Sequence, residues 1–483
     1  MTSLNAVSTA FGGTGTHGLT ELYGVAFGDG GSAPASGSIN LRAFEGKSPA
    51  RFGVERAKLI ASDGQSSDRF GSSADVDGDT IVVGANGNDD AGESSGSAYV
   101  FTRNTAGSLT SGWTQRVKLT ASDHAAFDYF GGLDRRDGVS IDGDTVVIGA
   151  TGNDRKTRPT GKVGGSAYVF TRNTAGSLTS GWTQRAKLIA SDVTAYDNFG
   201  SSVSIDGDTL VIGASGLNTY RGAAYVFRRN TPGSLTSGWT QVTKLTASDG
   251  AANDLFGITL SISGDTVAIG ARDDDDNNAS NSGSAYIFTR DTSGSLTSGW
   301  TQRAKLTAND AGGSDKFGES VSIDGDAVVI GAPRDNDLGA DSGSAYIFTR
   351  DTSGSLTSGW TQVAKMTAGD GAAGDEFGHH VAIEGGTVVI GAHYKYVNNQ
   401  FAIGSAYVFT RDAVGNWTQT TKLLASDGTA SQSPTFGDTV SISGDTVVIA
   451  AMQDDLHTGT TYATGKPNSG ATYVFTLEIN PIN

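Results

Sequence analysis

Apolar and polar positions alternate over many short stretches of this chain, and the stretches recur. In Trp113–Leu119, Trp113, Gln115, Val117 and Leu119 share one parity, while Thr114, Arg116 and Lys118 share the other. A period of two with one apolar face predicts a half-buried strand, and outward Lys and Arg suit an edge that must resist pairing with other chains. Val146-Val147-Ile148 is apolar without a break, which predicts a strand buried on both faces between neighbouring sheets. Asp-Gly-Asp or Ser-Gly-Asp between short strands is hairpin-turn chemistry. Helical periodicity is absent throughout.

These stretches belong to a repeat. A Phe-Gly pair begins at Phe70, Phe130, Phe199, Phe256, Phe317, Phe377 and Phe436, at spacings of 60, 69, 57, 61, 60 and 59 residues. Each pair leads into a strand such as Ser320 to Ile323, a turn (Asp324-Gly325-Asp326), and a second strand ending in Gly331-Ala332. An acidic, glycine-rich loop follows, then a third strand like Ala345-Tyr346-Ile347-Phe348 and a fourth that opens on Trp. Four strands repeated seven times predict an all-β fold, a seven-bladed β-propeller with four antiparallel strands per blade. The last repeat stops after Ala471 to Phe475, and a matching fourth strand stands near the start as Val54 to Asp63. Residues 53–62 are therefore expected to complete the final blade and close the ring.

Composition narrows the partners. Glycine makes up 69 of 483 residues, but no Gly-X-Y period exists, so collagen is excluded. Acids exceed bases by 51 to 34, a formal charge of −17, which disfavours nucleic acid. Cysteine is absent, which removes disulfides and thiolate metal sites. There is no apolar run of membrane-spanning length and no Sec-type leader at Met1 to Val7. Acid-rich loops leave hard cations as plausible ligands.

Phe-Gly, then Gly-Ala, then Gly-Ser-Ala-Tyr resembles the FG-GAP repeat of integrin α-chain heads and their bacterial relatives, over about 430 residues. That resemblance implies a propeller that binds ligands through one face. Calcium-binding integrin blades carry an Asp-x-Asp-x-Asp-Gly loop between the first two strands. Here that connection is a tight turn, as in Ile205-Asp206-Gly207-Asp208, so those sites are not carried over.

Loops before strand one and between strands two and three share a face. Asp68, Asp128, Asp197, Asp254, Asp315 and Asp375 each stand two residues before the Phe; they either cap turn N–H groups or join neighbouring acids around Ca²⁺. The candidate calcium ligands are Asp89 and Asp90, Asp273, Asp274, Asp275 and Asp276, and Asp335, Asp337 and Asp341. Loops that differ from blade to blade on a constant frame suggest a receptor-binding surface, with Arg155, Lys156, Arg158, Tyr220, Tyr394, Tyr396 and Phe401 as its candidates. Relaxed drift in exposed loops is the other reading. The tryptophans, spaced one per blade, point to packing rather than a carbohydrate platform.

No catalytic residue is assigned, and the chain is expected not to be an enzyme. His379, His380 and His393 cluster in blade six and suggest either a metal site or channel histidines. Glu384 and Asp375 are a possible acid pair of undetermined separation.

Residues 1–50 stand apart as an anchor or linker preceding the propeller at 51–483. Leu22, Tyr23, Ile39, Leu41 and Phe44 are its candidate anchoring side chains. Ser36 to Ser48, with Ile39-Asn40-Leu41 and Phe44-Glu45-Gly46-Lys47, is similar to a short segment of virion and tail-fibre proteins of bacteriophages, especially marine ones. The resemblance implies a non-enzymatic virion protein (tail fibre, baseplate or other appendage), located on the particle. Residues 1–50 would meet other virion proteins, and the propeller a host-surface glycan or protein. The alternatives are a bacterial cell-surface or secreted FG-GAP adhesin and, third, a glycan-degrading enzyme centred on blade six.

Overall fold

The computed structural model describes residues 51–132, 136–153, 164–276, 279–395, 403–427, 435–454 and 468–479. Those residues form seven four-stranded antiparallel sheets, the arrangement the repeats predict. The anchor candidates Leu22, Tyr23, Ile39, Leu41 and Phe44, and the loop candidates Arg155, Lys156, Arg158, Tyr396 and Phe401, lie outside the described residues.

Blade five shows why the repeat folds as it does. Its strands are Val321–Asp324, Ala327–Ala332, Ser344–Arg350 and Trp360–Met366. Asp324 pairs with Ala327, leaving Gly325 and Asp326 as a two-residue hairpin. Gly325 has φ +55, the left-handed geometry that a type II′ turn requires at its first position and that glycine adopts without strain. Val328, Val329 and Ile330 are fully buried, as an unbroken apolar run demands. Phe317 stands edge-on to Tyr346 and Phe348 at 5.5 and 6.0 Å, an aromatic triplet that recurs in every blade and fills the space between sheets.

The fourth strand departs from simple alternation. Val100 pairs with Val117 and Phe101 with Gln115, so Arg116 is an extra residue in a β-bulge. The same irregularity recurs at Val363 and, in the closing blade, at Arg56. A bulge exchanges the faces of the residues on its two sides. Arg116 consequently turns back and donates from Nε to Thr102 Oγ1 at 2.7 Å, and Lys118 is drawn to the blade end rather than to an open edge.

The ring closes as expected, with Arg51–Leu59 as the fourth strand of blade seven, antiparallel to Ala471–Ile479. Blades are then joined by three repeated devices. Gly-Ala meets the next Phe-Gly so closely that a Cβ on Gly331 would lie 1.8 Å from the Gly378 carbonyl oxygen. First-strand side chains accept from the following blade: Ile323 N–H donates to Ser261 Oγ (3.2 Å), and Gly385 N–H to Asp324 Oδ2 (2.6 Å). A buried arginine staples the hairpin in blades one to five. Arg350 donates to Asp326 (2.6 Å), to the Ser355 carbonyl (2.8 Å) and to Thr266 of blade four (2.8 Å), with its guanidinium 4.7 Å over Trp360. The tryptophans thus pack as expected. Blade seven has Leu477 where the staple stands in blade five, and Arg51 pairs with Asp445 instead, at 2.8 Å.

Candidate functional site at the channel mouth

The face formed by the loops after strands two and four is built on a shared ionic frame. Asp63 at the end of one blade accepts from Tyr99 Oη (2.9 Å) and pairs with Lys118 Nζ (2.7 Å) of the next. The same trio recurs around the ring through Asp123, Asp192, Asp249, Asp310, Asp370 and Asp427. Burial raises the Asp63 pKa, but the hydrogen bonds from Lys118 and Tyr99 outweigh it and hold the carboxyl below its usual range.

The pre-Phe aspartates are turn caps. Gly312 N–H donates to Asp315 Oδ2 at 2.6 Å and Ala372 N–H to Asp375 at 2.7 Å. Asp254 caps Ala251 in the same way; burial, with Asp274 nearby, pushes its pKa up to about 6.

The candidate calcium ligands are already engaged. Asp310, Asp335 and Asp337 converge so that one oxygen of each lies within 4.8 Å of the others. Lys365 Nζ pairs with all three, at 2.6 Å to Asp310 and 2.9 Å to Asp335. In blade four Lys305 pairs with Asp274 at 2.9 Å and approaches Asp276 at 3.8 Å. Asp273 binds Lys316, and Asp275 accepts from Asn281 N–H. In blade one Asp90 pairs with Lys118, while Asp89 accepts from Ser94 N–H. Asp341 contributes its backbone: its carbonyl accepts from Glu376 N–H at 3.1 Å. These loops fit an ammonium at their centre. A calcium ion, which takes 6–8 oxygens, would first have to displace the lysine.

Blade six inverts this chemistry. Lys395 stands where blades four and five have Asp274 and Asp335. Its ammonium is buried and pairs with the fully buried Asp375 at 2.6 Å. Beside it, His379 and His393 rings lie 3.9 Å apart, with Glu376 3.5 Å from His393 Nε2. His380 points elsewhere. Its Nδ1 accepts from Val440 N–H at 3.3 Å, so Nε2 carries the proton and donates to Asp137 at 2.9 Å. Glu384 accepts from Gly444 N–H at the far end of the strand that Asp375 precedes, so the two do not form an acid pair.

Asp137 belongs to an insertion before the first strand of blade two, Val139–Asp142. It reaches blade four as well, where Thr259 Oγ1 donates to it at 2.8 Å. Next to it Arg136 enters a cavity of about 550 Å³, lined also by Arg272, Glu319, Arg334, Glu376, His379 and Tyr394. Arg272 is held by Glu319 with both distances at 2.7 Å. Burial, with Arg272 adding repulsion, lowers the Arg136 pKa to about 10, so it stays charged at neutral pH. Sequence reasoning named Tyr394 but missed the arginines; for Arg136 the signal was the 69-residue spacing from Phe130 to Phe199, the longest in the chain, and Arg272 and Arg334 stand in repeats of ordinary length.

Tyr220 ends a short turn next to a second, smaller feature. Leu217–Tyr220 forms one short turn with Asn218, Thr219 and Tyr220 at φ 52, 59 and 63. Consecutive left-handed residues other than glycine are strained, and Tyr220 is left exposed beside a cavity of about 260 Å³ lined by Leu217, Asn218, Arg221 and Lys244. No helix among the described residues is long and apolar enough to cross a membrane.

Seven closed blades with variable loops around one mouth define a ligand-binding or adhesion-type propeller. The FG-GAP repeat model matches residues 54–101, 113–170, 182–227, 239–288, 300–348, 360–409 and 417–475. The chain therefore belongs to the FG-GAP repeat family. Comparison with curated proteins finds no match.

Proposed function

We propose that the protein is a non-enzymatic recognition module of a phage particle, mounted through residues 1–50 on other virion proteins, with its propeller directed at the host surface. One observation carries the recognition reading. The frame repeats bond for bond, as in the Asp–Tyr–Lys trio, whereas the side chains at the mouth change with every blade. The particle location is supported by the similarity of residues 36–48 to virion and tail-fibre segments.

The ligand class favoured is an acidic host glycan. Arg136, Arg272 and Arg334 line one cavity in a protein of net charge −17, and guanidinium groups pair well with carboxylates. Calcium enters this proposal only as an ion that competes with Lys305 and Lys365.

Mass spectrometry of purified particles tests the location; absence of the protein there, with recovery in a cell-envelope fraction, would favour the cell-surface adhesin instead. Binding to immobilised host-envelope glycans tests recognition. Arg272→Ala with Arg334→Ala should abolish retention on acidic glycans, and unchanged retention would refute the cavity as the binding site.

A further inference from the structure

We propose that Glu376, His379 and His393 bind a divalent transition metal of the zinc class at the channel mouth. One donor atom from each lies within 4.8 Å of the other two, and His393 Nε2 is 3.5 Å from Glu376 Oε2. Around a tetrahedral zinc with bonds of about 2.0–2.1 Å, neighbouring ligand atoms sit about 3.3 Å apart. Binding would draw the three donor atoms together from their present separations of up to 4.8 Å.

The backbone already presents the donors. Glu376 has φ 52, a left-handed conformation in a residue other than glycine. It is held there because its N–H donates to the Asp341 carbonyl of blade five at 3.1 Å, while its own carbonyl accepts from His379 N–H at 3.2 Å. His393 continues the buried second strand Thr387–Ala392 and is itself fully buried, and His379 is only 9% exposed. Blade five has Lys316, Glu319 and Pro333 at the same three places, so the donor set is particular to blade six and is not a consequence of the repeat.

The donor chemistry separates this site from the acidic loops. Two imidazoles and one carboxylate suit zinc, nickel or cobalt, whereas calcium prefers oxygen alone. Three protein ligands leave a coordination position vacant, as in open zinc sites. Glu376 and His379 both line the 550 Å³ cavity, so a metal they hold is accessible from it. Metal binding here stands independently of the location of the protein on a particle.

The test is titration of the untagged full-length chain, stripped with chelator, with Co²⁺ followed by visible absorption. One equivalent should give the d–d bands of a low-coordinate site, displaced by Zn²⁺ and unaffected by millimolar Ca²⁺. His379→Gln and Glu376→Gln should each weaken binding by about tenfold or more, with near-UV circular dichroism confirming the fold. Absence of bands in the native chain, or equal affinity in the His379→Gln/Glu376→Gln double variant, would overturn the proposal. If the double variant fails to fold, His379→Gln alone decides, since unchanged affinity there has the same meaning.

Discussion

Blades five and six share a frame and oppose each other in charge logic. In blade five a lysine from the fourth strand, Lys365, sits among Asp310, Asp335 and Asp337, two of them largely exposed. In blade six the lysine comes from the loop itself, and the Lys395–Asp375 pair is sealed from water. The first arrangement is redundant, since any one acid can be lost and the ammonium remains paired. In the second, Lys395 has one close carboxylate, Asp375, with the Asp370 carbonyl as a further acceptor and the Asp370 carboxylate only at 4.0 Å. Removal of Asp375 or Lys395 therefore leaves a buried charge poorly compensated. The same blade also abandons the arginine staple: Gly386 replaces the turn aspartate and Arg411 is exposed, whereas Arg350 in blade five is buried. Blade six thus lacks the staple at its hairpin end and carries unusual side chains, Lys395, His379 and His393, at its mouth end.

The comparison breaks most visibly at Lys395. Lys395→Ala should cost about 3–5 kcal/mol in urea unfolding, and the added change Asp375→Asn should recover a large part of it. Equal losses in the single and double variants would show that the ion pair is not the source. Next, Arg350→Ala should cost about 2–3 kcal/mol by removing three charge-assisted hydrogen bonds, while Arg411→Ala stays within about 0.5 kcal/mol. A large loss at Arg411 would mean that blade six keeps a staple in another form.

Lys365→Ala sharpens the contrast further. It should lower stability by about 1–2 kcal/mol and make the melting point rise on addition of calcium. The native chain should move by less than about 1 °C under the same addition. A calcium-dependent shift in the native chain would show that the ion displaces lysine. The smallest effect concerns pH. Asp254 has its folded pKa pushed up to about 6, so the folded state holds the proton more tightly than the unfolded chain. Stability from this group therefore falls as pH rises from about 4 to about 6, and the deficit persists above that. Asp254→Asn should be more stable than the native chain at pH 7 and equal to it below about pH 4.

Much of the fold was legible because the repeat is written in residues with few alternatives. Phe-Gly and Gly-Ala mark where backbones of adjacent blades nearly touch, as Gly331 and Gly378 do, and no side chain fits there. The displaced fourth strand was readable from Lys58-Leu59 and is seen as Arg51–Leu59. What the pattern hid were relations across blades. Alternation in Trp113–Leu119 gave no hint of the bulge at Arg116, which depends on the partner strand. The acids of Asp273 to Asp276 looked like an ion cage because the lysines that pair with three of them, Lys305 and Lys316, lie far along the chain. The site itself was half visible: the histidines of blade six stood out, but nothing local said that Asp137 from blade two would meet one of them.

The clasp between Arg51–Leu59 and Ala471–Ile479 has a mechanical meaning. A pull arriving through the chain upstream of residue 51 enters on the side of the two-residue hairpins, while a ligand held at the mouth resists from the opposite side. The traction then runs along the length of the clasp, and its hydrogen bonds share the load in shear instead of peeling one after another. A tether attached at the other end of that strand would unzip it. With the entry at residue 51, such a load would be shared between the borrowed strand and the direct bonds of blade one to blade seven, as from Gly78 N–H to Ser443 Oγ and from Arg103 to Thr446.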